Sequence, residues 1–375
     1  MATPYMTELT NRRNAKRGNA PSIYDGCMKA LEKMGAHSLA GHEFDVTFGR
    51  SGEDNDKNRT IFFDYVNLAN SKVFSANIVA EIGSQDEGTW LAAYPKKIFD
   101  SKLPFSQPLN DESSAQRMVI AARCPTGAPP SLAKIWRSSM NAAEGVRFKD
   151  IETENEEFEV TDWVSRSDGA DDKPYDIMLL RLLPTYEAPK LHGKSGGSSP
   201  RKVRPRNKDD DTLSEDVNMD TPLNKIPSPK ERKIGDTYNP DCLPDHRGPY
   251  FAHRESKLVQ RDYRDLDGDL IAPYELYEKL TEGTLFSVQI SMHTYIFPGK
   301  RGNARSKIYH IYIDKLRIHD KGFGEAWHPP IPSLPSADPS SPRKRARAER
   351  DDEADKSFDF FNSVSPVKRA RITKT

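Results

Sequence analysis

No stretch of this chain carries a familiar catalytic signature, and only three cysteines occur, Cys27, Cys124 and Cys242, with no close pair among them. So few and so scattered thiols exclude a disulfide framework and read as reduced side chains of an intracellular protein. No run approaches the roughly 20 apolar residues needed to cross a bilayer, and the first residues lack the apolar stretch of a secretory signal, so no membrane partner is expected. Net charge is also missing, because 56 Lys and Arg balance 56 Asp and Glu. Apolar residues reach only 35% against 30% charged, which predicts that part of the chain stays outside any core.

Several local resemblances fail on chemistry. Gly193-Lys-Ser195 has the end of a phosphate-binding loop, but Ala188 stands where the earlier glycine is required. Asp265-Leu-Asp-Gly-Asp269 suggests a calcium loop, yet Tyr263 and Tyr274 occupy the positions that need carboxylates, so a tight turn is expected. Cys242 and His246 form a local sulfur–imidazole couple with neither further zinc ligands nor an orienting group for a nucleophile. The sequence therefore predicts no metal, no cofactor and no catalytic residue, hence a non-enzymatic protein.

What the chain does have is proline-directed serine beside positive charge. Ser199, Ser228, Ser341 and Ser365 each precede proline, and all but Ser228 have a basic residue at the third following position, resembling cyclin-dependent kinase substrates. Phosphorylation there adds about −1.5 to −2 charges within a cationic segment. The last two adjoin Arg343, Lys344, Arg345 and Arg347, and Lys368, Arg369 and Arg371, clusters of the type that import receptors or phosphates attract. A proline-directed kinase, a nuclear import receptor and a nuclear location are the expectations. Phe358-Asp-Phe-Phe361 adds aromatics that can anchor in a partner's groove.

Charge and composition divide the chain into a basic disordered arm (1–21), an acidic β-rich domain (22–189), a flexible Ser/Pro/Lys linker (190–235), a second β-rich unit (236–325) and a disordered tail (326–375). The two β-rich parts are expected either as separate domains or as halves of one interrupted domain. Short β-branched and aromatic runs bounded by Gly, Asp, Asn and Pro predict a mainly β fold with accessory helices, α+β overall. Helices are expected over 22–34 and 131–141. The clearest strand is Leu285 to Phe297, with Phe286, Val288, Ile290, Met292 and Ile296 facing one way and Ser287, Gln289, Ser291 and His293 the other. With the strand-rich run 307–318, it suggests a small antiparallel, barrel-like unit of the oligonucleotide-binding (OB) type.

The loop between those strands carries Lys300, Arg301, Arg305 and Lys307, and the strands present Tyr295, Tyr309 and Tyr312 beside His310. Cations that hold phosphates next to rings that stack on bases predict nucleic-acid binding, with single-stranded DNA the leading partner. The acidic runs Glu152 to Glu159 and Asp168 to Asp172 suggest the competing reading. In that reading the protein is an acidic nuclear scaffold for a histone or other basic protein, and its basic runs serve import and regulation.

Overall fold

In a computed structural model the described residues are 4–16, 21–34, 37–51, 61–94, 109–111, 118–153, 158–167, 174–187, 228–246, 251–298 and 304–328. Helices α1 (Pro4–Asn14) and α2 (Ile23–Met34) lead into strands β1 (Phe48–Arg50), β2 (Ile61–Asn67), β3 (Ala76–Ile82) and β4 (Val119–Arg123). Helix α3 (Pro130–Thr153) is followed by β5 (Phe158–Thr161), β6 (Val164–Ser165), β7 (Ile177–Leu182) and β8 (Tyr263–Arg264). The one-turn helix α4 (Leu276–Lys279) then precedes the two longest strands, β9 (Leu285–Phe297) and β10 (Arg305–Asp320). The fold is mixed α+β with more strand than helix.

Alternation of apolar and polar side chains from Phe286 to His293 makes β9 a strand with one face in the core, and the structure keeps the bounds its sequence implies. It pairs with β10 along its whole length, with register shifts at Leu285/Phe286 and Gln289/Ile290. On its other edge β9 pairs first with β3, through residues 285–290, and then with β2, through residues 293–296. The far edge of β10 takes β5, β7 and β8 in parallel. Strand β4 joins β3 to β7, antiparallel to both, so the pairing path runs from β9 through β3, β4 and β7 to β10 and back to β9.

This ten-stranded sheet answers the question left open by the sequence. Strands from 48–182 and from 263–320 interleave, and β9 and β10 lie between partners from the first half. Residues 236–325 therefore do not make a small sheet of their own. The reason is length: β9 and β10 offer more edge than each other can satisfy, and unpaired backbone groups must find partners.

One core fills the space inside the pairing path and under α3. Ile78, Ala80, Ile120, Leu180, Phe286, Val288, Ile290, Ile311 and Ile313 belong to it, as do Trp136, Met140, Ala143 and Val146 from α3. The helix buries residues three and four apart, so its apolar stripe lies against Tyr65 and Trp163. It runs to Thr153, beyond the expected end at 141, because Val146 and Asp150 continue that stripe. On the opposite side of the sheet Tyr24, Cys27 and Leu31 of α2 cover Val79 and Leu285. Fully burying each large aliphatic or aromatic side chain contributes about 1.5–3 kcal/mol, which holds both helices in place.

The amino-terminal segment departs from the expected disordered arm. Helix α1 docks although only Leu9 among its apolar side chains is buried. Arg13, fully buried, donates to Glu81, to Asp320 Oδ2 at 2.9 Å and to the Gly283 carbonyl, while Arg12 donates to Asp320 Oδ2 at 2.8 Å. Glu81 is buried too and also accepts from Arg123 Nη2 at 3.0 Å and from Thr126. Hydrophobic periodicity misses such a helix because its anchor is a charge. Removing one partner of a buried pair strands the other, so Arg13→Ala is expected to cost about 3–5 kcal/mol. The half-exposed Arg12 should cost about 1 kcal/mol or less on replacement by Ala. Urea denaturation of the two variants checks this, and equal losses would contradict it.

Candidate nucleic-acid interface

The β9–β10 hairpin separates the predicted binding residues by face. On the face toward α3, Lys307 and Tyr309 are buried, with their polar ends on one carboxylate. Lys307 Nζ donates to Asp150 Oδ2 at 2.7 Å, and the Tyr309 hydroxyl and Arg50 donate to the same oxygen. Burial alone would raise the Asp150 carboxyl, but hydrogen bonds and charge from Arg50 and Lys307 hold it below the usual carboxylate range. Burial, reinforced by the Asp150 charge, drives the Tyr309 phenol far above its ordinary value. The expectation that Lys307 and Tyr309 meet a polyanion outside the molecule is thereby corrected. The alternation that puts Ile311 and Ile313 in the core puts these two there as well.

The opposite face gathers a different set. Phe62 and Asp64 of β2, Ser291, His293, Tyr295 and Phe297 of β9, and His310 and Tyr312 of β10 share it through the strand registers. Phe62 stacks on His293 with ring centroids 5.5 Å apart and contacts Tyr295 at 5.0 Å. Tyr295 in turn stacks on Phe297 at 6.3 Å and meets His310 at 5.2 Å, while His293 lies 4.8 Å from Tyr312. Tyr312 is buried beneath its neighbours and the other rings are half-buried. Hydrogen bonds fix the array. His293 Nδ1 lies 2.9 Å from Asp64 Oδ1, His310 Nδ1 lies 2.7 Å from the Tyr312 hydroxyl, and that hydroxyl lies 3.1 Å from Tyr295 Oη. Ser291 Oγ donates to Asp314 Oδ1 at 3.2 Å and sits 3.3 Å from His293 Nε2.

Of the predicted site residues, Tyr295 and Tyr312 thus come together on this face, and Arg305 lies over the Phe158 ring at 5.5 Å. Arg181, half-buried on β7, is the register partner of Tyr312. Phe62 and Asp64 were missed, and the signal that could have found them was β2's own alternation. Lys300 and Arg301 lie outside the described residues, in the connection between β9 and β10. So do Ser199, Ser341, Ser365, the clusters at 343–347 and 368–371, and Phe358 to Phe361. Ser228 is described. It caps the turn Pro229–Glu231 and donates to Glu231 Oε2 at 2.8 Å, which holds the Glu231 carboxyl down.

The discounted motifs resolve into structure. Asp265 and Gly268, with φ +86°, close the expected turn, and Asp265 Oδ1 accepts from the Asp267 and Asp269 amides at 3.1 Å each. Burial pushes the Cys242 thiol up to about 11, leaving little thiolate at neutral pH. His246 Nε2 and His253 Nδ1 lie 3.2 Å apart against Tyr186 and Phe251, and Asp241 Oδ1 lies 3.2 Å from His246 Nδ1. Among the described residues no group of three or more His, Cys, Asp or Glu is placed to hold a metal ion.

Two outcomes follow from these burials. Lys307→Ala is expected to destabilise the protein by about 3–5 kcal/mol, since Asp150 then keeps its charge with one partner fewer, and thermal or urea melting reads this directly. A stability loss below 1 kcal/mol would mean the amine does not hold the fold. The second concerns pH. Burial, with His246 adding to it, pushes His253 down to about 4, and burial, with the Arg317 charge, does the same to His319. Unfolded histidines titrate near 6.5, so below that pH the unfolded chain binds more protons than the folded one. Stability is complete above about pH 6.5 and falls as pH drops toward 4. Denaturation midpoints at pH 7, 6 and 5 should decline, and His253→Gln should flatten the slope. A wild-type midpoint constant over this range would refute the assignment.

Compared with known proteins, the chain matches no protein-family model, and no curated protein matches it closely enough to inform this site.

Proposed function

We propose that this chain is a nuclear protein that associates with single-stranded nucleic acid through the outer face of the β9–β10 hairpin and the basic connection at its tip. The observation that carries the reading is the row of half-buried rings, Phe62, His293, Tyr295 and Phe297, on one strand face; in the sequence the connection that follows Phe297 carries Lys300 and Arg301. Rings so placed accept unstacked bases without regard to sequence, and cations at the strand ends hold phosphates.

Strand order supports the same reading. Taken in chain order, β3, β4, β7, β9 and β10 pair so that the fourth strand returns to the first and the third lies parallel to the fifth. We read this as an OB-like arrangement assembled from both halves of the chain. In such folds the surface over the second and third strands and the loop between the fourth and fifth bind oligonucleotides. Here those are β4 with β7, which carries Arg181, and the connection with Lys300 and Arg301. The basic clusters at 343–347 and 368–371 serve nuclear import in this reading. Phosphorylation of Ser199, Ser228, Ser341 and Ser365 tunes the charge of the segments around them.

Salt titration of the full chain against a fluorescent single-stranded oligonucleotide tests it. Tyr295→Ala and Phe62→Ala should each weaken binding about tenfold or more, since each stacked base contributes about 1–3 kcal/mol. Replacing Lys300 and Arg301 by Ala should lower the log–log salt slope by roughly 0.7 per cation. If no oligonucleotide is retained at low ionic strength and a basic protein is bound instead, the acidic-scaffold reading takes its place.

A further inference from the structure

An open groove of about 620 Å³ runs between the turn that precedes β1 and the side of α3 turned away from the core. That volume falls within the range of clefts that hold a ligand, about 300–1,000 Å³. Residues 42–46 form one wall, and Ser138, Ala142, Gly145, Phe148 and Glu152, spaced three and four apart along the helix, form the other. The groove lies on the α3 side of the sheet, away from the ring array, so its chemistry is independent of the nucleic-acid reading.

The turn is shaped before anything binds. Thr47 Oγ1 accepts from the Glu43 amide at 2.9 Å and donates to the Glu43 carbonyl at 3.0 Å, and the Asp45 amide donates to the Phe48 carbonyl at 2.8 Å. Asp45 holds φ +61°, a left-handed conformation that its short polar side chain tolerates. The Phe44 ring packs against Phe48 and Tyr65 with centroids 5.5 and 6.0 Å away. A wall fixed in this way loses little entropy when a partner docks.

Apolar surface and negative charge meet there. Val46 is 62% exposed and Phe148 55%, one on each wall. Large apolar side chains gathered in one groove mark an interaction surface, as scattered ones do not. Among the described residues the carboxylates of Glu43 and Asp45 have no hydrogen-bond or ion-pair partner, and Glu152 has only Lys149, whose Nζ lies 3.8 Å from Oε2. That pair is exposed on both sides, so it binds weakly and leaves the rim net negative. Helix α3 ends at Thr153, and its carbonyl end adds partial negative charge beside Glu152. In the sequence Glu154, Glu156 and Glu157 follow.

We propose that this groove docks a lysine- and arginine-rich segment of a partner protein. One large apolar side chain of that segment sits between Val46 and Phe148, and its cations lie on Glu43, Asp45 and Glu152. Charge decides the class of occupant. An acidic peptide or a phosphate would meet three carboxylates and a single amine, and a second copy of this face would set carboxylates against carboxylates.

Fluorescence anisotropy of the full chain with a dye-labelled synthetic peptide, one leucine between runs of lysine and arginine, tests the assignment. Saturable binding is expected, lost when serine replaces the leucine and absent when glutamate replaces every cation. Phe148→Ser should weaken binding about tenfold, as expected when one large apolar contact is removed. Glu43→Gln together with Asp45→Asn should weaken it about threefold at low salt, and the difference should vanish at about 1 M salt, where charges are screened within about 3 Å. Asn tolerates the left-handed position as Asp does, so the turn survives that change. Ile234→Ser, at an exposed apolar position outside the groove, should change nothing. Equal binding of the serine-substituted peptide, or unchanged affinity in Phe148→Ser, overturns the proposal. Peptide binding that emerges only after Arg343, Lys344, Arg345 and Arg347 are replaced by Gln makes the chain's own basic cluster the occupant and overturns the partner assignment. A dimer that Phe148→Ser dissolves makes the occupant a second copy, with the same consequence.

Discussion

Two buried carboxylates each hold several of this protein's positive charges against the fold. Asp150 takes Arg50, Lys307 and the Tyr309 hydroxyl, and Glu81 takes Arg13 and Arg123. A carboxylate enclosed in this way is tolerable only with its partners in place, so each cation near it is fixed as firmly as a core leucine. Asp150 ties the end of α3 to β1 and β10, and Glu81 ties the amino-terminal helix to β3 and to the turn before β9. Lys307 is turned into the fold for this reason, and α1 joins it with almost no apolar surface to bury.

The long hairpin converts that constraint into an architecture. Each of β9 and β10 presents one edge to the other and a second edge longer than any single neighbour, so shorter strands line up along it in succession. Its inner face is filled by core side chains and the Asp150 cluster. Its outer face is covered by α2 only near Leu285 and Val79, which leaves the far half of the hairpin as a half-buried array of rings and imidazoles. Packing on one side and partial cover on the other give the same two strands one fully buried face and one half-covered face.

Much of this was legible in the residues. The alternation from Leu285 to Phe297 fixed the strand and its two faces, the Gly268 turn followed from its residue types, and α2 followed from its 3.6-residue spacing. The loop's neighbours were harder. A lysine and a tyrosine in a strand look equally ready for phosphate or for core, and only the parity of their positions relative to Ile311 and Ile313 distinguishes the two. Arg13 and Glu81 are far apart in sequence, and no local pattern relates them. The same distance hid Asp64, whose partnership with His293 depends on which strand lies beside β9.

Parity also explains why residues can share one row of the sheet without forming a motif in the sequence. A motif needs residues fixed by local chain geometry, as in a helix face or a tight turn, whereas Asp64, His293 and His310 meet only because three strands stand in a particular register. A slip of one residue in β10 would turn His310 into the core and bring Tyr309 out, and the row would vanish. Lys307 and Tyr309 resist that slip, since both would have to leave Asp150, and a buried carboxylate without its donors is costly. The ion cluster on the inner face is therefore what holds the two imidazoles opposite each other on the outer one.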